Sequence, residues 1–337
     1  MIAFDKSAPG GGVSAECRME NGKVILEWQI VLTQIDFRGM IYIRLLDQCG
    51  ELVLECMQAS DEEEPLVSVL LQPHFWAGPE NPYLYRLEAI LEDRQGNEMD
   101  RVERLFPLRC VELRRMPGED AEKIFLNGEC FVPKAVQYEL SMCEADSQTE
   151  IVQEQRNTEY SGRITEDLER ILALGANCIC LNEVSRLSAE AVEFCCRNGL
   201  LTVVHTSGKL SVGGKTFTVD SDRSLEDYLG KIPVFSEMDE VLYRARWGKA
   251  PFVHICAGTL QPMKSGNYTV TCYSNCKKLA LYSDGKLFEF QHGREIFTFQ
   301  EIPVKGPCIM LAVEGEGCSA SLSVHKTFTK LSPIGDK

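Results

Sequence analysis

The hydropathy period of this chain changes twice along its length, and each change restricts what it can fold into. Over residues 13–115 apolar side chains recur at every second position in short runs. Ile41, Ile43 and Leu45 alternate with Tyr42 and Arg44, and Tyr85, Leu87, Ala89 and Leu91 alternate with Arg86, Glu88 and Glu92. A period of two marks strands with one buried face, as in an antiparallel sheet. Gly50, the acidic run Asp61–Glu64 with Pro65, and Gly78-Pro79 interrupt the runs. About six or seven such strands in a hundred residues fit an immunoglobulin-like β-sandwich. Trp28 and Trp76 are assigned to its core.

A short hairpin follows in residues 116–135. Ile124-Phe125-Leu126 leads into Asn127-Gly128 and out through Glu129–Val132, an apolar strand, a type I′ turn and a returning strand. The polar stretch 141–162 reads as a long loop. From Thr165 the period becomes helical. Thr165 is placed to cap a helix, with Glu166 and Asp167 in its first turn. Leu168, Ile171 and Leu172 form its apolar stripe, and Gly175 ends it. An apolar strand Asn177–Leu181 comes next. The pattern repeats with Ser188 as cap, Val192 and Cys195 on the buried face, Gly199 as terminator and the strand Leu200–Val204. Helix, glycine and buried strand, twice in succession, is the rhythm of parallel βα units.

Residues 206–235 are irregular, with Gly213-Gly214 and a strand expected at Thr216–Val219. Ser236–Asp239 resembles a capping box opening a helix to about Arg246, with Met238, Val241, Leu242 and Ala245 facing inward. The period of two then returns from Phe252 onward, with Asp284-Gly285 as a two-residue hairpin turn. The expected organisation is an immunoglobulin-like sandwich over 1–115, a reduced α/β domain over 116–250 and a second immunoglobulin-like sandwich over 251–337. Three parallel strands leave an open edge, which either residues 206–235 or a second protomer, making a homodimer, must cover.

Composition narrows the partners. Against 35 Lys and Arg stand 50 Asp and Glu, a net charge of −15. Phosphate neutralisation needs a basic face, so nucleic acid is excluded as a partner, as is an anionic membrane. The amino-terminal MIAFDKSAPGGG lacks the pattern of a secretion signal, and no apolar run has membrane-spanning length. The 15 cysteines are therefore expected to be reduced, mostly small buried hydrophobes of a cytoplasmic protein. A zinc site at Cys272 and Cys276 is the sharper alternative, but no second pair has ligand spacing. Nucleophile elbows, H-E-x-x-H and glycine-rich phosphate loops are absent, so the sequence implies no metal and no cofactor.

Several segments resemble one family. Pro79-Glu-Asn-Pro-Tyr-Leu-Tyr85, then Asp100-Arg-Val-Glu-Arg-Leu-Phe106 and Phe106-Pro107-Leu108-Arg109, resemble the immunoglobulin-like domain of glycoside hydrolase family 2, the family of the large β-galactosidases and β-glucuronidases. Phe125-Leu-Asn-Gly-Glu129 is similar to the hairpin leading into that family's catalytic barrel. Thr165–Asn177 is similar to its first barrel helix, and Gly199–Val204 to its third strand. Tyr243–Trp247 with Val253–Ile255 resembles the last barrel helix and the strand after it. Tyr273–Lys286 resembles a run of the carboxyl-terminal sandwich. The matches keep the family order and cover most of residues 60–175 and 236–290.

The departures carry the functional expectation. Retaining hydrolases need two carboxylates about 5–5.5 Å apart. The resemblance puts these glutamates after the fourth and seventh barrel strands. Ser236 follows His205 by only 31 positions, whereas a complete barrel takes about 250 residues. The family's amino-terminal jelly roll is also missing. Its first-strand motif stands here as Lys134–Leu140 and its second-strand motif as Cys180–Ser185, without the pocket arginine and histidine. No residue inherits a catalytic role.

Three residues at strand ends remain weak catalytic candidates. Glu139 and Glu183 follow the first and second parallel strands, and His205 ends the third, where barrel enzymes place their chemistry. A Glu139–Glu183 pair would do acid–base work, and His205 would act as a general base. Solvated loop carboxylates and a polar strand end explain the same residues without function. Tyr138, Asn182 and Trp247 are the substrate-binding candidates; Trp247 would stack on a sugar ring, or pack between domains. The sequence thus points to a truncated, degenerate glycoside hydrolase that binds carbohydrate without cleaving it. An O-glycosyl hydrolase with a rebuilt site and a purely structural interaction module are the alternatives.

Overall fold

The computed structural model describes residues 3–34, 37–118, 121–139, 150–181, 187, 189–304 and 306–325. The chain divides into two units, residues 1–172 with 176–236, and residues 173–175 with 237–337. The first joins the amino-terminal sandwich and the α/β region, which the sequence separates at residue 115.

The sandwich is built from β1 (Val13–Glu20), β2 (Lys23–Ile30), β3 (Gly39–Leu46), β4 (Leu52–Ala59), β5 (Leu66–Leu70), β6 (Tyr85–Asp93) and β7 (Glu98–Phe106). Sheet β1-β2-β5 meets sheet β4-β3-β6-β7. The alternation read from the sequence decides which side chains point inward. Val24, Leu26 and Trp28 of β2 pack with Ile41, Ile43 and Leu45 of β3 and with Leu87, Ala89 and Leu91 of β6 in one core. Truncating such a residue to alanine typically costs about 2–5 kcal/mol. Trp28 keeps its buried N–H satisfied by donating to Ser68 Oγ at 2.8 Å.

Cys17 of β1 and Cys110 form a disulfide with Cα atoms 4.9 Å apart, 93 positions apart in sequence. This corrects the expectation that all thiols are reduced. Both cysteines face the sandwich core, and a pairing set by three-dimensional packing leaves no trace in local spacing.

The hairpin of β8 (Val111–Arg115), β9 (Glu122–Leu126) and β10 (Glu129–Cys130) turns at Asn127 and Gly128, whose φ values are 53° and 85°. Both central residues are left-handed, as a type I′ turn requires. The chain then runs through β11 (Ala135–Tyr138), α1 (Glu150–Ala173), β12 (Cys178–Leu181), α2 (Ala189–Asn198), β13 (Leu201–Thr206), β14 (Lys209–Val212), β15 (Lys215–Thr218) and α3 (Glu226–Leu229). These strands form one open sheet, β11-β12-β13-β14-β15. The first three are parallel, and β14 and β15 turn back antiparallel.

Three local expectations need correction. Helix α1 begins at Glu150, so the stretch read as loop is partly helical and Thr165 lies inside the helix. The segment from Glu150 to Arg156 is rich in strong helix formers, and no proline interrupts it before Thr165. Val192 of α2 is 43% exposed, and the buried stripe is Ala191 and Cys195, one turn apart. Trp76 belongs to the core between hairpin and α/β sheet, not to the sandwich core. Ser188 lies outside the described residues.

Both edges of the parallel run are covered by the chain itself. On one side stand β14 and β15, which includes the strand expected near Thr216. On the other, Gln137 N donates to Pro233 O at 2.9 Å and Gln137 bridges to Val234 in parallel. The new edge, β15, is four residues long and starts at Lys215, a short and charged edge of the kind that resists further pairing.

The second unit holds α4 (Glu240–Trp247), β16 (Val253–Pro262), β17 (Tyr268–Ser274), β18 (Lys278–Ser283), β19 (Lys286–His292), β20 (Glu295–Ile302), β21 (Cys308–Gly315) and β22 (Cys318–His325). Sheets β16-β17-β20 and β19-β18-β21-β22 share a core that includes Val270, Leu279, Leu281, Phe297, Phe299 and Leu311. The expected Asp284-Gly285 turn is present, with φ values of 49° and 75°. Helix α4, which the sequence assigns to the middle domain, groups with this sandwich, and Arg246 pairs with Glu295 of β20 at 2.9 Å. Its cap is Asp239, whose carboxylate accepts from Val241 N and Leu242 N, in place of Ser236.

Within the first unit a small set of contacts fixes the α/β sheet against the sandwich. The Trp76 indole is fully buried and donates through Nε1 to Cys196 O at 2.8 Å. The Arg109 guanidinium lies 4.7 Å from the Trp76 ring centroid and donates twice to Gly213 O. Gly199 has φ 77°, and a Cβ there would stand 2.3 Å from the backbone of Gly78 and Pro79. A Gly199→Ala variant is therefore expected to lose at least about 2 kcal/mol of stability, from left-handed strain plus backbone collision. Gly22 has the same φ of 77° with open space around it, so Gly22→Ala should lose only about 1 kcal/mol. Urea unfolding midpoints of the two variants check the contrast.

Candidate functional site

The three parallel strands end level with one another. Ala135, Cys178 and Leu201 lie in one row, and Tyr138, Leu181 and Val204 close the ladder three residues later. The next row contains Glu139 and His205. Alternation gives this row a common face. Ala135, Cys178, Cys180, Leu201 and Val203 all pack into the core that contains Trp76, Tyr228 and Leu229. His205 follows Val203 by two positions, so it shares that face. Gln137 follows Ala135 in the same way, and its Nε2 donates to Glu139 Oε1 at 3.4 Å. Glu139 is exposed and His205 is half-buried. His205 pairs with Leu210 across the β13–β14 ladder. Its Nε2 is buried and has no hydrogen-bond partner among the described residues.

Tyr138 faces the other side of the sheet. It is 5% exposed, and its hydroxyl donates to Asp167 Oδ2 of α1 at 3.0 Å. Asp167 also accepts from Arg170 Nη1 at 3.1 Å. The Arg170 guanidinium lies 5.0 Å from the Phe235 ring centroid, and that ring is 6.1 Å from Tyr138. The four side chains bind β11 to α1 and to the turn at 235. In this arrangement the Tyr138 hydroxyl is occupied by α1. Trp247 lies in the second unit, half-buried, with its ring 4.7 Å from Tyr243 on the same helix. Asn182 and Glu183 lie outside the described residues. The structure thus brings Glu139 and His205 to one sheet face and sends Tyr138 to the opposite one.

The cysteine candidates for zinc are arranged otherwise. Cys272 and Cys276 are both buried, Cys276 Sγ lies 3.5 Å from Cys318 Sγ, and among the described residues no three His, Cys, Asp or Glu side chains gather as a metal site. Burial pushes the Cys272 thiol up to about 12. No helix among the described residues is long and apolar enough to cross a membrane.

Sequence reasoning missed the role of Arg109. Its signal was a charged residue set between Leu108 and Cys110, both fully buried. Burial lowers the guanidinium pKa from its ordinary value. Among the described residues no carboxylate pairs with Arg109; it lies over the Trp76 ring, donates to the Gly213 carbonyl and meets the Cys196 side chain.

No family model matches this sequence, and no curated protein does. Solved structures do. An FMN-binding β-glucuronidase from Faecalibacterium prausnitzii L2-6 superposes over 97% of this chain and 75% of its own, with a TM-score of 0.62 at 13% identity. A β-glucuronidase from Ruminococcus gnavus in complex with D-glucuronic acid matches 61% of this chain and 30% of its own, with a TM-score of 0.44 at 18% identity. At these identities the first likeness establishes a shared glycosidase-type, β-rich fold.

The orphaned His205 nitrogen gives a direct test. An unsatisfied buried polar group costs about 1–3 kcal/mol. His205→Leu keeps the apolar contacts and removes that cost, so its urea midpoint should equal or exceed that of the parent protein. A midpoint lowered by more than about 1 kcal/mol equivalent would reveal a partner for Nε2.

Proposed function

We propose that this chain is a non-hydrolysing relative of the glycoside hydrolases, a carbohydrate-recognition protein on a shrunken form of their barrel. The observation that carries this reading is the reversal of the chain after β13. In the family the sequence resembles, the catalytic glutamates follow the fourth and seventh parallel strands. In this chain the antiparallel hairpin β14–β15 occupies the place beside the third. The sheet face on the side of His205 is packed by Trp76, Tyr228, Leu229 and Ile232, which supports a filled interior over a substrate cavity.

The spacing of the two described candidates, Glu139 and His205, favours binding over cleavage by that pair. Hydrolysis needs two carboxylates about 5–5.5 Å apart for retention or about 6.5–9.5 Å apart for inversion. Glu139 and His205 stand two strand spacings apart, about 10 Å between backbones. Groups so placed cannot share a proton directly, and of the two only Glu139 is exposed to a ligand. The fold shared with a β-glucuronidase makes a hexuronic acid and its β-glycosides the first ligands to try.

The test combines turnover and binding on the full chain. p-Nitrophenyl β-D-glucuronide and β-D-galactoside should release nitrophenol no faster than buffer, with Glu139→Gln and Glu183→Gln making no difference. In calorimetric titration with D-glucuronate, Glu139→Ala, at the exposed strand end, should weaken binding about 10-fold or more, the equivalent of one hydrogen bond from a sugar hydroxyl to a charged group. Turnover abolished by Glu183→Gln would establish the rebuilt-hydrolase alternative instead. Absence of binding to either sugar would leave the structural-module reading.

A further inference from the structure

We propose that Cys276 and Cys318 form an oxidation-dependent disulfide site in the second sandwich, closing a cross-link between the β17–β18 turn and the β21–β22 hairpin. This inference is independent of the carbohydrate reading. The two sulfurs lie 3.5 Å apart although the residues are 42 positions apart in sequence. A bond requires a closure of about 1.5 Å, within the reach of small side-chain rotations.

The surrounding backbone is organised to hold the sulfurs in that position. Cys276 sits between β17 and β18, and its N–H donates to Ser274 Oγ at 3.0 Å. Ser274 in turn donates to Phe252 O at 2.6 Å, and Asn275 Nδ2 donates to the carbonyls of Gly248 and Ala250. The turn carrying Cys276 is thereby fixed by two neighbouring side chains, Ser274 and Asn275. Cys318 opens β22 directly opposite Gly315. A Cβ on Gly315 would stand 2.7 Å from Cys276 Sγ. The missing side chain at 315 is what lets the Cys276 sulfur approach the hairpin. The nearby Cys308 does not compete, since its Sγ lies against Ser323 Oγ at 3.3 Å.

The two thiols also differ in access. Cys276 is buried, whereas Cys318 is half-buried and reachable by a small oxidant. With oxidised glutathione as co-reactant, the Cys318 thiolate attacks one glutathione sulfur. The glutathione S–S bond breaks, one glutathione thiolate leaves, and a mixed disulfide forms on Cys318. Cys276 then gives its proton to solvent, attacks Cys318 Sγ and expels the second glutathione. The protein loses two electrons and two protons, and one oxidised glutathione becomes two reduced ones. Burial pushes the Cys318 thiol up to about 11, and its contact with Cys276 adds to the rise. Thiolate is therefore scarce and the exchange is slow.

The experiment uses the full chain, purified and mildly reduced, then incubated overnight with oxidised glutathione. Non-reducing proteolysis and mass spectrometry should yield the Cys276 and Cys318 peptides joined, about 2 Da below their summed mass. The joined Cys17–Cys110 peptides serve as an internal marker. The melting temperature of the oxidised protein should rise by about 5 °C or more, as a closed loop of this length implies. Cys318→Ser should abolish both the linked peptide and the gain. A persistent mixed disulfide on Cys318, a link from Cys318 to another cysteine, or two thiols that remain open to alkylation would each overturn the proposal. Peptide mapping of the unsubstituted protein decides the matter even where Cys318→Ser fails to fold.

Discussion

The arrangement of the first unit depends on one cation that has no carboxylate partner among the described residues. Arg109 leaves the sandwich between two fully buried residues, Leu108 and Cys110, so its guanidinium has little solvent to turn to. It lies over the Trp76 ring and gives two N–H groups to a single carbonyl, Gly213 O, the closer at 2.6 Å. A planar guanidinium suits both contacts at once, because its face stacks on an aromatic ring while its edge forks onto an acceptor. Lysine could supply neither geometry. Trp76 completes the arrangement by donating to Cys196 O at the end of α2. Two residues from the sandwich thus hold one helix end and one hairpin turn of the α/β sheet.

That hold bears on why the parallel run stops. Gly213 and Gly214 are the turn between β14 and β15, and both have positive φ. Gly213 N also donates to Thr202 O, at the start of β13. The turn is therefore pinned from two directions, by β13 beside it and by Arg109 beneath it. A chain pinned there after three parallel strands lays its next strand antiparallel against β13, and the sheet continues as a hairpin. On the far side the close approach of Gly199 to Gly78 and Pro79 leaves no room for a side chain, so the same sandwich surface also sets where β13 begins.

Much of this was legible in the sequence, for identifiable reasons. Alternation over β3 and β6, the Asn127-Gly128 and Asp284-Gly285 turns, and the two glycine-terminated helices followed by apolar strands are local signals, and the structure contains each. What was not legible depends on distant partners. The Cys17–Cys110 disulfide spans 93 positions. Trp76 was read as sandwich core because nothing local shows that Cys196 O, 120 positions away, would claim its N–H. Val192 and Thr165 were misplaced for a different reason. Short stripes fit a helix at several phases, and only packing against β13 selects Ala191 and Cys195. At the candidate site, strand-end positions were enough to bring Glu139 and His205 to one row. They could not reveal that Tyr138, one residue from Glu139, is turned to the opposite face by strand alternation and held there by Asp167.

The covered edges decide what the sheet leaves open to solvent. A barrel exposes its chemistry at the carboxyl ends of strands because its interior is packed and its sides are wrapped by helices. The sheet in this chain reaches a similar condition without closing. Its interior-facing side is filled by Tyr228, Leu229 and Ile232, β11 is bridged by Val234, and the free edge is reduced to the four residues of β15. At the strand ends Glu139 is exposed and accepts only a long bond from Gln137, and the buried Nε2 of His205 is unpartnered among the described residues. The exposed and the buried member of that row differ because alternation turns both toward the packed face, and only the residue beyond the end of its strand, Glu139, escapes the packing.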